Sequence, residues 1–199
     1  MSAVESVRWN DPESAQLAKL AAVHSGMFDA LRFARRLQDS TLASDYELLD
    51  ALATTALIRY RRCFSRGAGV PPDAINDVSG ITASEKRLHR HLLDVRDKHV
   101  AHAVNQMETH DVYLWIAHDD GGTTRATGVS HGSRTGIAMS DALALGMERL
   151  CMKWLDHIND LTLRETSCLL PLAQRLSSAE LEALPRGPRE PDPNPRRGR

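Results

Sequence analysis

Apolar residues recur at three- and four-residue spacing along most of this chain and switch to alternation in one place. Leu17, Leu20, Ala21, His24, Met27, Phe28, Leu31 and Leu37 follow the helical period, and Asp11-Pro12-Glu13 supplies an N-cap with proline at the first helical position. A first helix is predicted from there to about Gln38. Ser44-x-x-Glu47 has the form of a capping box, and Tyr46, Leu49, Ala53, Ala56, Leu57, Tyr60 and Phe64 make an apolar face behind it. Gly67, Gly69, Pro71 and Pro72 end that second helix. Thr82-x-x-Glu85 opens a third, which fades after Asn105. From Asp111 to His118 the period becomes two, with Val112, Leu114 and Ile116 alternating with Tyr113 and Trp115, which predicts a strand. Asp119-Asp120-Gly121-Gly122 is turn chemistry, Thr123 to Val129 returns as a second strand, and Gly128 to Gly136 reads as a polar loop. A lone two-stranded ribbon is marginal, so this one is expected to lie against the helices.

Ser140-Asp141 caps a further helix whose broad face carries Leu143, Met147, Leu150, Cys151, Trp154, Leu155 and Ile158. The pattern continues through Leu161, Leu169, Leu172 and Leu176, with Pro171 expected to kink or divide it. Ser177-x-x-Glu180 caps a last short turn. The fold expected is mainly α, a bundle of about five helices with a small inserted β-hairpin at about 111–130.

Composition changes this picture little. At 199 residues the chain is expected to form one domain, 1–184, followed by a disordered Pro/Arg-rich tail, 185–199. The net charge of −1 is no nucleic-acid signature, so any basic site must be local. Cys63, Cys151 and Cys168 are scattered and odd in number, without a CxxC pair, which favours a reducing cytoplasm. The N-terminal stretch has no signal-peptide core, and no apolar run is long enough to span a bilayer, so no membrane partner is expected.

The stretch with the most chemistry is Leu88 to Asn105, LHRHLLDVRDKHVAHAVN. On a helix, Leu88, Leu92, Val95, His99 and His102 share one stripe, and Leu93, Val100 and Val104 a second. Arg87, His91, Asp94, Lys98 and Asn105 fill the polar sector. Two apolar stripes place this helix among several neighbours. Arg96 points between the stripes, and a guanidinium keeps its charge, so it needs a carboxylate, a bound phosphate or an opening to solvent. Upstream, Arg59-Tyr60-Arg61-Arg62-Cys63-Phe64-Ser65-Arg66 sets four arginines beside two aromatics. Arg59, Arg61, Arg62 and Arg66, with Lys98, are candidates for holding an RNA backbone through phosphate contacts. The plainer reading is a solvated helix end with Tyr60 and Phe64 in the core. Arg32, Arg35 and Arg36 read the same way.

Arg96-Asp97-Lys98-His99-Val100-Ala101-His102 resembles the R-x(4–6)-H motif of the HEPN superfamily, in wording closest to HEPN proteins of the abortive-infection type. The resemblance implies a motif near the end of a long bundle helix, with two such helices meeting across a homodimer. It further implies RNA cleavage without metal or other cofactor, in a toxin or phage-defence role, with RNA and an antitoxin protein as partners. Carried onto this chain, His102 is the general base or acid, Arg96 stabilises the phosphate, and Asp97 is the polar residue that follows the arginine in the motif.

RNA brings its own nucleophile, the 2′-OH. A histidine titrating near neutral pH and an arginine offering planar phosphate contacts suffice in kind for the reaction. On an unbroken helix Arg96 and His102 point about 120° apart, which suits a groove built from two chains or a helix that loosens before His102. His99 is about 60° from Arg96 and competes for the same role. Against catalysis stands a structural reading, with hydrogen-bonded interface histidines and Arg96 paired to an acid such as Glu47 or Glu108. A dimeric, non-catalytic module that binds a nucleotide or a partner protein is the other functional alternative. His99, His102 and Asp97 also raise zinc, but the spacing is loose, no cysteine supports it, and no metal is expected.

Overall fold

The computed structural model describes residues 7–9, 12–65, 69–97, 109–118, 124–134 and 139–186. Among them are five α-helices and one antiparallel hairpin, so the fold is mainly α with an inserted β-hairpin. In chain order the elements are α1 (Ala15–Arg36), α2 (Tyr46–Arg62), α3 (Ala83–Val95), β1 (Thr109–His118), β2 (Thr124–Arg134), α4 (Asp141–Ala173) and α5 (Ser178–Ala183). They divide into two compact units, one of Met1–Ala21 with Asp160–Arg199, the other Ala22–Asn159.

The larger unit holds most of the core. Met27, Ala30 and Ala34 of α1, Ala53, Ala56, Leu57 and Tyr60 of α2, Leu92 and Val95 of α3, and Met147, Leu150, Cys151, Trp154 and Ile158 of α4 are all buried. Small residues at Ala30, Ala34, Ala53 and Ala56 let helices approach closely. Leu88 of α3 lies over Gly146, where an added Cβ would come within 2.7 Å of Leu88 Cδ2. Lys153 joins α4 to the start of α3, its ammonium donating to the Gly80 carbonyl at 2.7 Å and to Glu85 Oε1 at 2.8 Å. Glu85 simultaneously closes the capping box on Thr82. Glu148 ties α4 to α1 by accepting from Arg35 Nε and Gln38 Nε2, both at 2.8 Å.

The smaller unit has its own ties. The Arg8 N–H donates to the Pro185 carbonyl at 2.8 Å, and Val7 bridges Arg186. Pro185 and Arg186 are therefore paired, although the sequence suggests a tail from Pro185 onward. Residues 187–199, the rest of that segment, lie outside the described residues. Ser177 and Glu180 cap each other at the start of α5 as the sequence predicts.

Several boundaries differ from the sequence reading. The first turn after Asp11, Pro12–Ser14, is 3-10, and the α-helix begins at Ala15. At α2 the N-cap is Asp45, whose carboxylate accepts from the Leu48 N–H at 3.0 Å, and no Ser44–Glu47 box forms. A carboxylate is the stronger acceptor at the positive end of a helix. Tyr46 is 79% exposed, and Phe28 of α1 is exposed too, so neither belongs to the core. Helix α4 passes through Pro171 to Ala173 without dividing; the proline forfeits one i→i−4 bond, to the Ser167 carbonyl, in the last turn of the helix, where few further turns depend on it.

The hairpin departs furthest. Strand β2 runs to Arg134, so the segment read as a polar loop pairs with β1 from Thr109↔Arg134 to Leu114↔Val129. Cross-strand hydrogen bonding overrides its weak β-propensity. The apolar residues of β1 are exposed on both faces, Val112 at 72% and Trp115 at 64% among them, so the ribbon does not bury its faces on the helices.

Candidate functional site

The R-x(5)-H segment begins at the C-terminal end of α3. Capping at Thr82 and the apolar set His89, Leu92 and Val95 fix α3 on the core. Regular α-helix stops at Val95, and a wider turn follows at Arg96–Asp97, with the Arg96 N–H shared between the Leu92 and Leu93 carbonyls. Lys98, His99, His102, Glu108 and the remainder of 98–108 lie outside the described residues, as does Arg66.

Three charged side chains converge at the start of this segment. Arg61 Nε, from the last turn of α2, donates to both Asp97 oxygens at 3.1 Å. Arg96 Nη1 donates to Asp97 Oδ1, also at 3.1 Å. Arg61 Nη1 is fixed by the Phe64 carbonyl at 3.0 Å. The partner of Arg96 is thus its own neighbour, not Glu47. Partial burial raises the Asp97 pKa, but hydrogen bonds from Arg96 and Arg61 and their charges outweigh it, and the carboxyl sits below its ordinary value. Two guanidinium groups against one carboxylate leave a surplus positive charge, with Arg61 and Arg96 still partly open to solvent. Nε of Arg96 is buried and has no hydrogen-bond partner among the described residues.

The arginine run around residue 60 is split. Arg59 and Arg62 share the opposite side of α2 from Arg61, as their i, i+3 spacing requires. Arg59 pairs with Asp29 of α1 at 3.5 Å, and Arg59 and Arg62 line an open groove of about 380 Å³ with Ser25, Gly26 and Cys63. Among the described residues of the run, Arg61 alone joins Asp97. Tyr60 and Phe64 are core residues, as the plainer sequence reading has it.

The residue that sequence reasoning missed is His89. It is 1% exposed, in edge-on contact with Phe64 at 4.6 Å. Its Nε2 lies 3.0 Å from the Pro72 carbonyl and its Nδ1 2.8 Å from the Tyr60 hydroxyl. A carbonyl only accepts, so Nε2 carries the proton and Nδ1 accepts from Tyr60. Desolvation lowers the His89 pKa, outweighing the bond to Pro72, and the ring is held neutral. The readable signal was its i, i+3 spacing to Leu92. His89 also borders a second open groove of about 440 Å³, with Lys86, Arg90 and Asn76.

Burial raises the Cys63 thiol to about 12 and pushes Cys151 up as well, so neither is a nucleophile. Among the described residues no three His, Cys, Asp or Glu side chains gather as metal ligands, and no helix is long and apolar enough to cross a membrane. No protein-family model, curated protein or solved structure matches this chain.

Proposed function

We propose that this chain is a metal-independent RNA endonuclease of the HEPN type, acting in the cytoplasm as a toxin or phage-defence effector and held in check by an antitoxin protein. The observation that carries the reading is the convergence of Arg61 and Arg96 on Asp97 at the first residue of the R-x(5)-H segment. Asp97 orients both guanidinium groups and neutralises only one. The surplus charge, with the unsatisfied Nε of Arg96, suits a phosphate oxygen. In this reading His102 removes the 2′-OH proton, the 2′-oxygen attacks the adjacent phosphorus, and Arg96 and Arg61 stabilise the added charge. The 5′-oxygen leaves with a proton, which His102 or His99 of either chain supplies. Arg66 and Lys98 are further candidates for phosphate contacts, whereas Arg59 and Arg62 lie on the opposite side of α2, with Arg59 paired to Asp29, and any phosphate contact there is separate from the Arg61–Asp97–Arg96 cluster. Leu92 and Val95 of α3 are buried within their own unit, so a dimer contact through the central helix falls to its other faces or to the segment after Asp97.

The test is cleavage of varied RNAs in EDTA by the wild type and by His102→Ala and Arg96→Ala. Cleavage by the wild type alone, leaving 2′,3′-cyclic phosphate ends, is expected. Equal cleavage by His102→Ala, or none by a folded wild type, refutes it. The second outcome supports the non-catalytic module, which one observation favours. Both Asp97 oxygens are already engaged by Arg61, as in a purely architectural ion pair.

A further inference from the structure

The groove beside His89 has two walls of opposite character. One is the 3-10 turn Pro72–Asn76, where Asp73 and Asn76, three residues apart, stack on one side of so tight a helix. The other is α3, where Lys86 and Arg90, four residues apart, are neighbours on the helix surface. Pro72, Ile75 and Leu93 supply apolar surface between them. The walls are pinned together. His89 Nε2 donates to the Pro72 carbonyl at 3.0 Å, and Ile75 is buried, so the turn cannot swing away from α3 without losing both.

The polar groups on these walls are not engaged with one another. Among the described residues no ion pair crosses the groove. The side chains of Asp73, Asn76 and Lys86 have no hydrogen-bond or ionic partner there, and Arg90 reaches only the Lys86 carbonyl of its own helix, at 3.4 Å. Elsewhere in the same unit facing charges close on each other, as Glu148 does on Arg35 and Glu85 on Lys153. Like charges at i, i+4 repel, and an anion between Lys86 and Arg90 removes that repulsion. The groove volume of about 440 Å³ lies within the roughly 300–1,000 Å³ of small-molecule sites, which combine apolar surface with a few convergent polar groups.

We propose that this groove binds a small zwitterion with an apolar body, of dipeptide size. Its carboxylate lies between Lys86 and Arg90, its ammonium meets the Asp73 carboxylate and the Asn76 side-chain oxygen, and its side chains rest on Pro72, Ile75 and Leu93. A ligand that is only an anion would face Asp73 unpaired, and one that is only a cation would face Lys86 and Arg90. A single amino acid carries both charges on one carbon. An extended dipeptide separates them by about 7 Å, so that each faces its own wall. The pinned walls favour binding, because little ordering remains to be done when the ligand arrives. The proposal does not depend on the ribonuclease reading.

Amide NMR titration of the full chain with leucyl-leucine tests it. Shifts at Asn76, Lys86 and Arg90 that saturate in the millimolar range are expected. N-acetyl-leucyl-leucine lacks the ammonium and leucyl-leucine amide lacks the carboxylate. Each is expected to bind about three- to five-fold more weakly, the worth of one partly solvated charge pair. Asp73→Asn should weaken the dipeptide without weakening the acetylated form, and Lys86→Gln/Arg90→Gln should weaken it without weakening the amide. The three ligands on the wild type keep the test sharp if a variant misfolds. No saturable shift at these residues, equal affinity for all three ligands, or variants that weaken all three alike overturns the proposal.

Discussion

Tyr60→Phe isolates one buried hydrogen bond. Tyr60 is fully buried, and its hydroxyl supplies the proton that His89 Nδ1 accepts at 2.8 Å. The substitution leaves ring packing against Phe64 at 5.0 Å in place and removes a single donor. His89 cannot compensate by reversing its tautomer, because Nε2 would then lose its bond to Pro72. A lone pair is stranded in a site of aromatic rings. Such an orphaned acceptor costs about 1–3 kcal/mol, above the ~1 kcal/mol net worth of the bond itself. For a domain of this size each kcal/mol moves Tm by about 2–4 °C, so a fall of roughly 4–8 °C is expected for a 2 kcal/mol loss. Differential scanning calorimetry at pH 8, with His89→Leu and the double variant alongside, measures it. The double variant should lose less than the sum of the two singles, because neither the Tyr60 hydroxyl nor His89 Nδ1 is then stranded, and the Pro72 carbonyl loses its donor equally in His89→Leu and in the double variant. Strict additivity, or a Tyr60→Phe protein as stable as the wild type, refutes the network.

His89 predicts a pH dependence as well. Its pKa is lowered on folding, so the unfolded chain binds the proton more readily. Its contribution is complete above the unfolded value of 6.5 and is lost as pH falls from there toward the folded value, a slope that Tyr60→Phe/His89→Leu should abolish in urea titrations. Asp97→Asn should cost only about 0.2–1 kcal/mol, because the Arg61–Asp97–Arg96 cluster is partly solvated. That contribution is present above the unfolded carboxyl value of 3.8 and disappears as pH falls through the lowered folded value, as acid melts of the two proteins will show. Gly69→Ala should destabilise by about 2–3 kcal/mol, since an added Cβ would strike the backbone at Cys63 and Ser65, and chemical denaturation reads it. In the native protein a thiol reagent should titrate Cys168 alone, with Cys63 and Cys151 reacting only after denaturation.

Much of the helical skeleton was readable residue by residue. The Thr82 and Ser177 capping boxes and the apolar sets of α2 and α4 are local or periodic signals, and local backbone chemistry decides them. The mainly α class with an inserted hairpin follows from the change of period at Asp111. The failures arise where a face ends, where neighbouring caps compete and where a partner strand intervenes. Tyr46 and Phe28 sit at helical spacing yet face solvent, because periodicity gives a face but not its edges. Asp45 took the cap from Ser44 by a one-residue competition between two good acceptors. Residues 130–134 became strand through pairing with β1, an interaction that lies in the partner strand, not in their own propensity.

The candidate site divides the same way. The sequence by itself singled out Arg96 as a charge in need of a partner and Arg61 as one of a basic run. That Arg61, thirty-six positions away, reaches Asp97 while Arg59 and Arg62 turn toward α1 is a matter of how α2 and α3 pack. Only that packing sends three neighbouring arginines, Arg59, Arg61 and Arg62, to two sites. His89 makes the same point from within the core. Its spacing to Leu92 was visible, but a buried histidine is tolerated only with both nitrogens bonded, and Tyr60 and Pro72 come to it from distant parts of the chain. Pattern along the chain sets which faces are apolar, because side-chain direction is local. Which polar atoms those faces enclose is decided when separate elements close upon one another, because desolvation and charge pairing act between neighbours in space.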